Sequence, residues 1–234
     1  MPRTSNLSDF MQYLVSLPDG DETSGQLPSL QTMSQRLNIS VARLREQLEV
    51  ARVLGLVEVK PRTGIRRQDY TFLPAVMQSL DYALHIDRGY FDDFAELRNH
   101  LEAAYWHKAV RLLTADDHVR LRQLLADAWQ KLRGSQIRIP HQEHRQLHML
   151  IYSRLDNPFV LGILDAYWEA YEAVGLNLYA GIEYLEDVWR YHQRMVEAIC
   201  AGDFDSGFQA LVEHSDLLYH RPVTYSMHSL AGSK

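Results

Sequence analysis

Residues 27–67, LPSLQTMSQRLNISVARLREQLEVARVLGLVEVKPRTGIRR, leave room for little but one shape: two short helices about a tight turn, then a two-stranded wing. Leu30, Met33 and Leu37 recur at helical spacing and give the first helix one apolar face. Asn38 tolerates the left-handed conformation that ends it, and Ser40 is placed to cap the next helix. Leu44, Leu48 and Ala51 form the inner stripe of that helix, with Arg43, Arg45 and Arg52 off it. Gly55 stops the helix, Leu56-Val57-Glu58-Val59 alternates as a strand, and Pro61-Arg62-Thr63-Gly64 has turn chemistry. A helix-turn-helix offers the N-terminal part of its second helix to base edges in the DNA major groove. On that reading Ser40, Arg43 and Arg45 lie nearest double-stranded DNA. Lys60, Arg62, Thr63, Gly64, Arg66 and Arg67 form a wing suited to phosphates. A plain helical hairpin with solvated arginines is the competing reading of the same pattern.

The net charge of −6 counts against DNA only until it is divided along the chain. Residues 1–69 hold nine Lys/Arg against eight Asp/Glu, and within them residues 40–69 hold seven against four. Residues 70–234 hold fifteen against twenty-two. Positive charge is thus concentrated in the expected DNA reader of the first third, and the acidic part belongs to a different module. At 234 residues the chain suits two modest cores, expected at 1–69 and 70–234. The lone Cys200 excludes an intrachain disulfide and fits a small apolar residue late in a helix. No run approaches the roughly 20 apolar residues that cross a bilayer, and the N-terminus lacks a secretory pattern. A cytoplasmic protein with no membrane partner is expected.

A first helix is expected at 7–17, followed by loop-like sequence from Pro18 to Gln26. Beyond residue 70 the periodicity is helical almost throughout. Helices are expected at 74–86, 91–113, 115–133, 140–155, 157–176, 183–201 and 204–219, with breaks at Gly89, Gly134, Pro140, Asn157-Pro158 and Gly202. Thr114 and Asp117 form a capping-box pattern with Asp in place of Glu or Gln. The fold class that follows is mainly α: an N-terminal winged helix-turn-helix and a C-terminal antiparallel all-α bundle, whose sites would lie between helices.

Of eleven histidines, four have spacing with chemical content. His144 and His148, four apart in HQEHRQLH, point the same way on a helix and can present two imidazoles to one metal ion. His192 in YHQRMVEAICAGD and His214 in LVEHSDLLYH can each point inward beside apolar neighbours. Three helices would then deliver four neutral nitrogen ligands. Four separate hydrogen-bonded core histidines are the alternative. Arg98 can pair with Glu102 one turn on, or offer a forked donor to a bound carboxylate. His141 is a weaker ligand candidate, and Glu143 is either exposed or a carboxylate that orients a ring. Tyr105, Tyr152, Tyr167 and Tyr171 could line a pocket but fit a core stripe equally well. His85, His100, His107, His118, His220 and His228 have no spacing partner.

The blocks LPS, LNIS, RLREQL, LGLVEV and PRTG resemble the winged helix of the GntR family of bacterial repressors. That family usually carries Arg directly after the Ser that opens the recognition helix, and this chain has Val41. ELRNHLE at 96–102, HRQLH followed by LDNP, HQRMVEAICAGD, and a late HSD are similar to the FCD-type ligand-binding bundle of its FadR branch. That resemblance implies a metal held by His144, His148, His192 and His214, with His144 standing where the family generally has Asp. It also implies an anionic effector on Arg98. An imidazole-rich shell favours zinc or nickel over magnesium or calcium.

The functional expectation is a dimeric DNA-binding repressor, not an enzyme, whose operator affinity follows a small organic acid bound at the metal. Two others stay open: a metal-dependent hydrolase on a helical bundle, and a regulator with structural histidines and an apolar effector.

Overall fold

The computed structural model describes residues 6–18, 25–175 and 181–219. The histidines at 220 and 228 and most of the 18–26 loop lie outside them. The chain divides into two compact units, Met1–Tyr82 and Ala83–Lys234.

In the first unit, α1 (Asp9–Ser16), α2 (Leu30–Leu37) and α3 (Val41–Val53) precede the strands β1 (Val57–Lys60) and β2 (Gly64–Arg67). Each helix starts on a serine, Ser8, Ser29 or Ser40, whose Oγ accepts a backbone N–H three residues on and satisfies one of the first-turn donors. Asn38 ends α2 in the left-handed region (φ 52°, ψ 40°), which turns the chain within two residues into α3. Phe10, Leu14, Met33, Leu44, Leu48, Ala51, Val57 and Ile65 close over one apolar core. The antiparallel register sets Val57 against Arg67 and Lys60 against Gly64, with Arg62 (φ 70°) and Gly64 (φ 83°) taking the left-handed positions of the turn. Gln26 adds a single bridge to Arg66, and its Nε2 donates to the Thr63 carbonyl at 2.7 Å, tying down the wing tip.

Helix α4 (Leu73–Ile86) runs across the division between the units. The second unit then holds α5 (Tyr90–Val110), α6 (Ala115–Arg133), α7 (His141–Tyr152), α8 (Pro158–Ala173), α9 (Ile182–Ala201) and α10 (Phe204–Tyr219). The expected helices are all present, but three end about three residues early, where the backbone leaves the helix into turns rather than following the apolar pattern. The Thr114/Asp117 capping box forms, Asn157 caps α8 with Pro158 at its first position, and Gly202 (φ 75°) closes α9. Trp106, Leu121, Leu147, Ile151, Leu164, Trp189, Met195 and Leu211 dominate the core. At Gly207 a Cβ would lie 2.7 Å from Trp106 Cζ2, so the absent side chain lets α10 sit directly on that indole, whose Nε1 donates to the Phe204 carbonyl. Among the described residues, no helix is long and apolar enough to cross a membrane.

Candidate metal centre

The amphipathic pattern that builds the bundle also fills its middle with imidazoles. His144 and His148 lie one turn apart on α7 with their rings tilted to each other, while His192 faces them from the middle of α9 and His214 from α10. One ring nitrogen from each lies within 4.8 Å of all the others. His148, His192 and His214 are at most 1 % exposed. Trp168 of α8 and Trp189 of α9 stand edge-on to His144 and complete an aromatic wall.

The donor set fits a metal ion on three grounds. Nε2 of His148 and Nε2 of His192 approach to 3.0 Å, and His144 Nε2, His192 Nδ1 and both nitrogens of His214 have no protein hydrogen-bond partner. Such buried polar atoms are normally paired. Burial, and after it the neighbouring histidines and Arg98, drives His144, His192 and His214 well below the ordinary histidine range, so these rings are neutral and carry lone pairs. The 4.8 Å spread compares with about 3.4 Å between nitrogens of a tetrahedral zinc shell and about 4.2 Å across an octahedral one.

Behind His148 lies a buried ionic pair from α5. Arg98 and Glu102 are each 1 % exposed and approach to 3.0 Å. Glu102 Oε1 lies 3.0 Å from His148 Nδ1, and the Arg98 NH2 nitrogen lies 2.8 Å from the same Nδ1. Burial raises the Glu102 carboxyl, but Arg98 and then His148 outweigh it and hold it below its usual range. Burial likewise lowers His148, with Glu102 opposing. Arg98 also donates to Asn99 Oδ1 and lies 4.6 Å over the Tyr167 ring, while its own Nε and the Asn99 Nδ2 are without partners. Tyr152 hydroxyl donates to the Glu102 carbonyl.

Sequence reasoning paired Arg98 with Glu102 but missed the bond from Glu102 to His148, and it missed Asn99. The one available signal was that 98, 99 and 102 share an inward face of α5. Glu143 has another partner, Lys131 Nζ at 2.6 Å. His141 stacks on Tyr171 and meets Glu172 at 2.9 Å, apart from the four-histidine cluster. Tyr152, Tyr167 and Tyr171 are buried, and the Tyr105 hydroxyl accepts from Asn157. A cleft of about 540 Å³ lined by Asp117, Arg120, Gln146, Met149 and Arg154 includes none of the four histidines.

A sequence family defined by the FCD domain matches residues 93–217, which contain every one of these side chains. The chain belongs to the FCD domain family. No curated protein matches it in sequence. Among solved structures, it resembles Streptococcus agalactiae GntR at 17 % identity, covering 91 % of this chain and 96 % of that one with a TM-score of 0.66. It is also similar to Escherichia coli McbR/YncC (18 % identity, 82 % and 84 % covered, TM-score 0.46). A GntR-family regulator from Pseudomonas syringae pv. tomato matches at 16 % identity, with 91 % and 82 % covered and a TM-score of 0.43. With a winged helix ahead of its FCD domain, the chain shares the fold of the Streptococcus agalactiae GntR structure.

In the winged helix of this FCD-type chain, Ser40 Oγ is engaged in capping α3. Arg43 leans onto α1, 3.0 Å from Asp9, beside Gln47, which also bonds Asp9 and the Phe10 N–H. Arg45 is exposed on the same helix. On the wing, Lys60 pairs with Glu58 at 2.8 Å, and Arg62, Thr63 and Gly64 are exposed at the turn.

Proposed function

We propose that this chain is a cytoplasmic, homodimeric DNA-binding repressor whose operator affinity is set by a small carboxylate bound beside a zinc or nickel ion in the FCD domain. The observation that carries this reading is the convergence of four imidazoles, His148, His192 and His214 buried and His144 partly so, with unpaired nitrogens on His144, His192 and His214, in a chain that also carries a winged helix. His144, His148, His192 and His214 would hold the ion. When bound, it supplies Lewis acidity toward an anionic ligand. Arg98, with its unpaired Nε, and Asn99, with its unpaired Nδ2, are the donors that would orient the anion.

On the DNA side, Arg45 and the first turn of α3 would meet base edges, and Lys60, Arg62, Thr63 and Gly64 the backbone. Arg43 would exchange Asp9 for a phosphate, which costs little because the pair is exposed. An effector alters DNA affinity by the ratio of its affinities for the two states. The hydrolase reading is weaker: Glu102, the carboxylate at the cluster, is held by Arg98 and His148 rather than free to act as a general base.

Mobility-shift assays with fragments of the source genome test the reading, run with zinc, with chelator, and with a panel of small hydroxy and dicarboxylic acids. Specific retardation that responds to an acid only in the metal-loaded protein is expected. Absence of any tightly bound fragment at moderate salt, or full response in chelated protein, overturns it.

A further inference from the structure

We infer that Glu102 is a positioning residue that makes His148 a metal ligand, and that Arg98 competes with it for the same ring nitrogen. This rests on reading the four histidines as a metal site.

Two contacts meet at His148 Nδ1, Glu102 Oε1 at 3.0 Å and the Arg98 NH2 nitrogen at 2.8 Å. A neutral imidazole has one N–H and one lone pair, so only one of these contacts is a hydrogen bond at a time. If Nδ1 carries the proton, it donates to the carboxylate and leaves the Nε2 lone pair facing His192 Nε2 across 3.0 Å. If the guanidinium donates to Nδ1, the proton resides on Nε2, and His148 cannot ligate.

Glu102 wins this competition because a carboxylate is a stronger acceptor than a neutral ring nitrogen, and its Oε2, which makes no hydrogen bond of its own, stands 3.0 Å from the same NH2 nitrogen as an alternative partner for Arg98. A carboxylate orienting a ligating histidine raises the basicity of the nitrogen that meets the metal. An anion drawn to Arg98 would remove the competitor from Nδ1, so metal and anion each strengthen the other's binding. The pair on α5 is therefore the link between the two ligands. Its position 1 % exposed, where an ion pair contributes little net stability, is explained by that role.

The test compares the full-length wild type with Glu102→Met, whose thioether accepts a hydrogen bond only weakly, and Glu102→Gln, whose amide oxygen accepts one well. Nitrogen-15 spectra of the metal-free proteins report the His148 tautomer, assigned by its loss in His148→Gln. Zinc affinity is measured by competition with a chromophoric chelator. Wild type and Glu102→Gln are expected to show the proton on Nδ1. Glu102→Met should move it to Nε2 and lower zinc affinity about 10- to 100-fold. A wild-type proton on Nε2, or a Glu102→Met protein with unchanged tautomer and affinity, overturns the inference. If Glu102→Met fails to fold, the wild-type tautomer alone decides. Should the wild type bind no zinc while the tautomer still follows residue 102, the positioning role stands and the metal reading fails.

Discussion

Acid should unfold the helical unit well before its carboxylates protonate. His144, His192 and His214 are pushed well below the ordinary histidine range, chiefly by burial. In the unfolded chain each returns to about 6.5. Below that value the unfolded state binds more protons than the folded one, so stability is full above it and falls as pH drops toward the folded values. The limiting slope is about 1.4 kcal/mol per pH unit for each histidine that stays neutral when folded. Between pH 7 and pH 5.5 one such residue loses about 1.3 kcal/mol, and three lose about 4 kcal/mol. That is a large part of the roughly 5–15 kcal/mol that holds a typical domain.

All four tryptophans, Trp106, Trp129, Trp168 and Trp189, belong to the helical unit, so their fluorescence reports its unfolding without the winged helix. Urea titrations in the presence of chelator at several pH values give the slope directly. His192→Leu removes one of the three protonation sites and should flatten the slope by up to one proton. A loss under about 1 kcal/mol from pH 7 to 5.5, or an unaltered slope in His192→Leu, would refute the claim that these rings are held neutral.

Three further outcomes are expected. Zinc at a hundredfold over its dissociation constant should stabilise the helical unit by about 2.7 kcal/mol, seen as a rise in fluorescence-detected Tm that His214→Ala abolishes. Arg45→Ala should cost about 1–3 kcal/mol of specific DNA binding and relax sequence preference, whereas Arg62→Ala should reduce the salt dependence of log K by about one unit. Gly207→Ala sets a Cβ 2.7 Å from Trp106 Cζ2 and should cost about 1–3 kcal/mol by urea unfolding, with a shifted emission spectrum.

The parts of this molecule that were legible in the sequence are those governed by short-range rules. Asn38, Ser40, Gly55, Gly64, Asn157 and Gly202 mark turns and caps because their backbone needs are local, and each does so in the structure. His144 and His148 announce a shared face through their spacing, and His192 and His214 through their apolar flanks. What stayed hidden depends on which faces meet. Glu102 and His148 are 46 residues apart, and Glu143, which its place beside the histidine pair offers as exposed or as a carboxylate orienting a ring, bonds Lys131 instead. Arg43 looked free for DNA because nothing in its own helix predicts that Asp9, on another element, faces it. Periodicity identifies an inward side chain but not its partner.

The charge balance around the cluster argues for what the site needs. Arg98 and Glu102 cancel one another, and the four imidazoles are neutral, so the surroundings offer a divalent ion no net negative charge. A family member with Asp in place of His144 offers one. In a buried setting uncompensated charge is costly, because interactions there are little screened. The ion in this chain would therefore draw its compensation from outside, and an anion reaching it would meet both the metal and the unpaired donors of Arg98 and Asn99. Metal and anion are then linked more tightly than in a shell with its own carboxylate, since the affinity of either rises by the same factor when the other is bound. His144→Asp should separate them: metal affinity should become less dependent on the anion, measured by zinc competition with and without a saturating organic acid. Equal dependence in both proteins would show that the charge of the side chain at position 144 does not control the linkage.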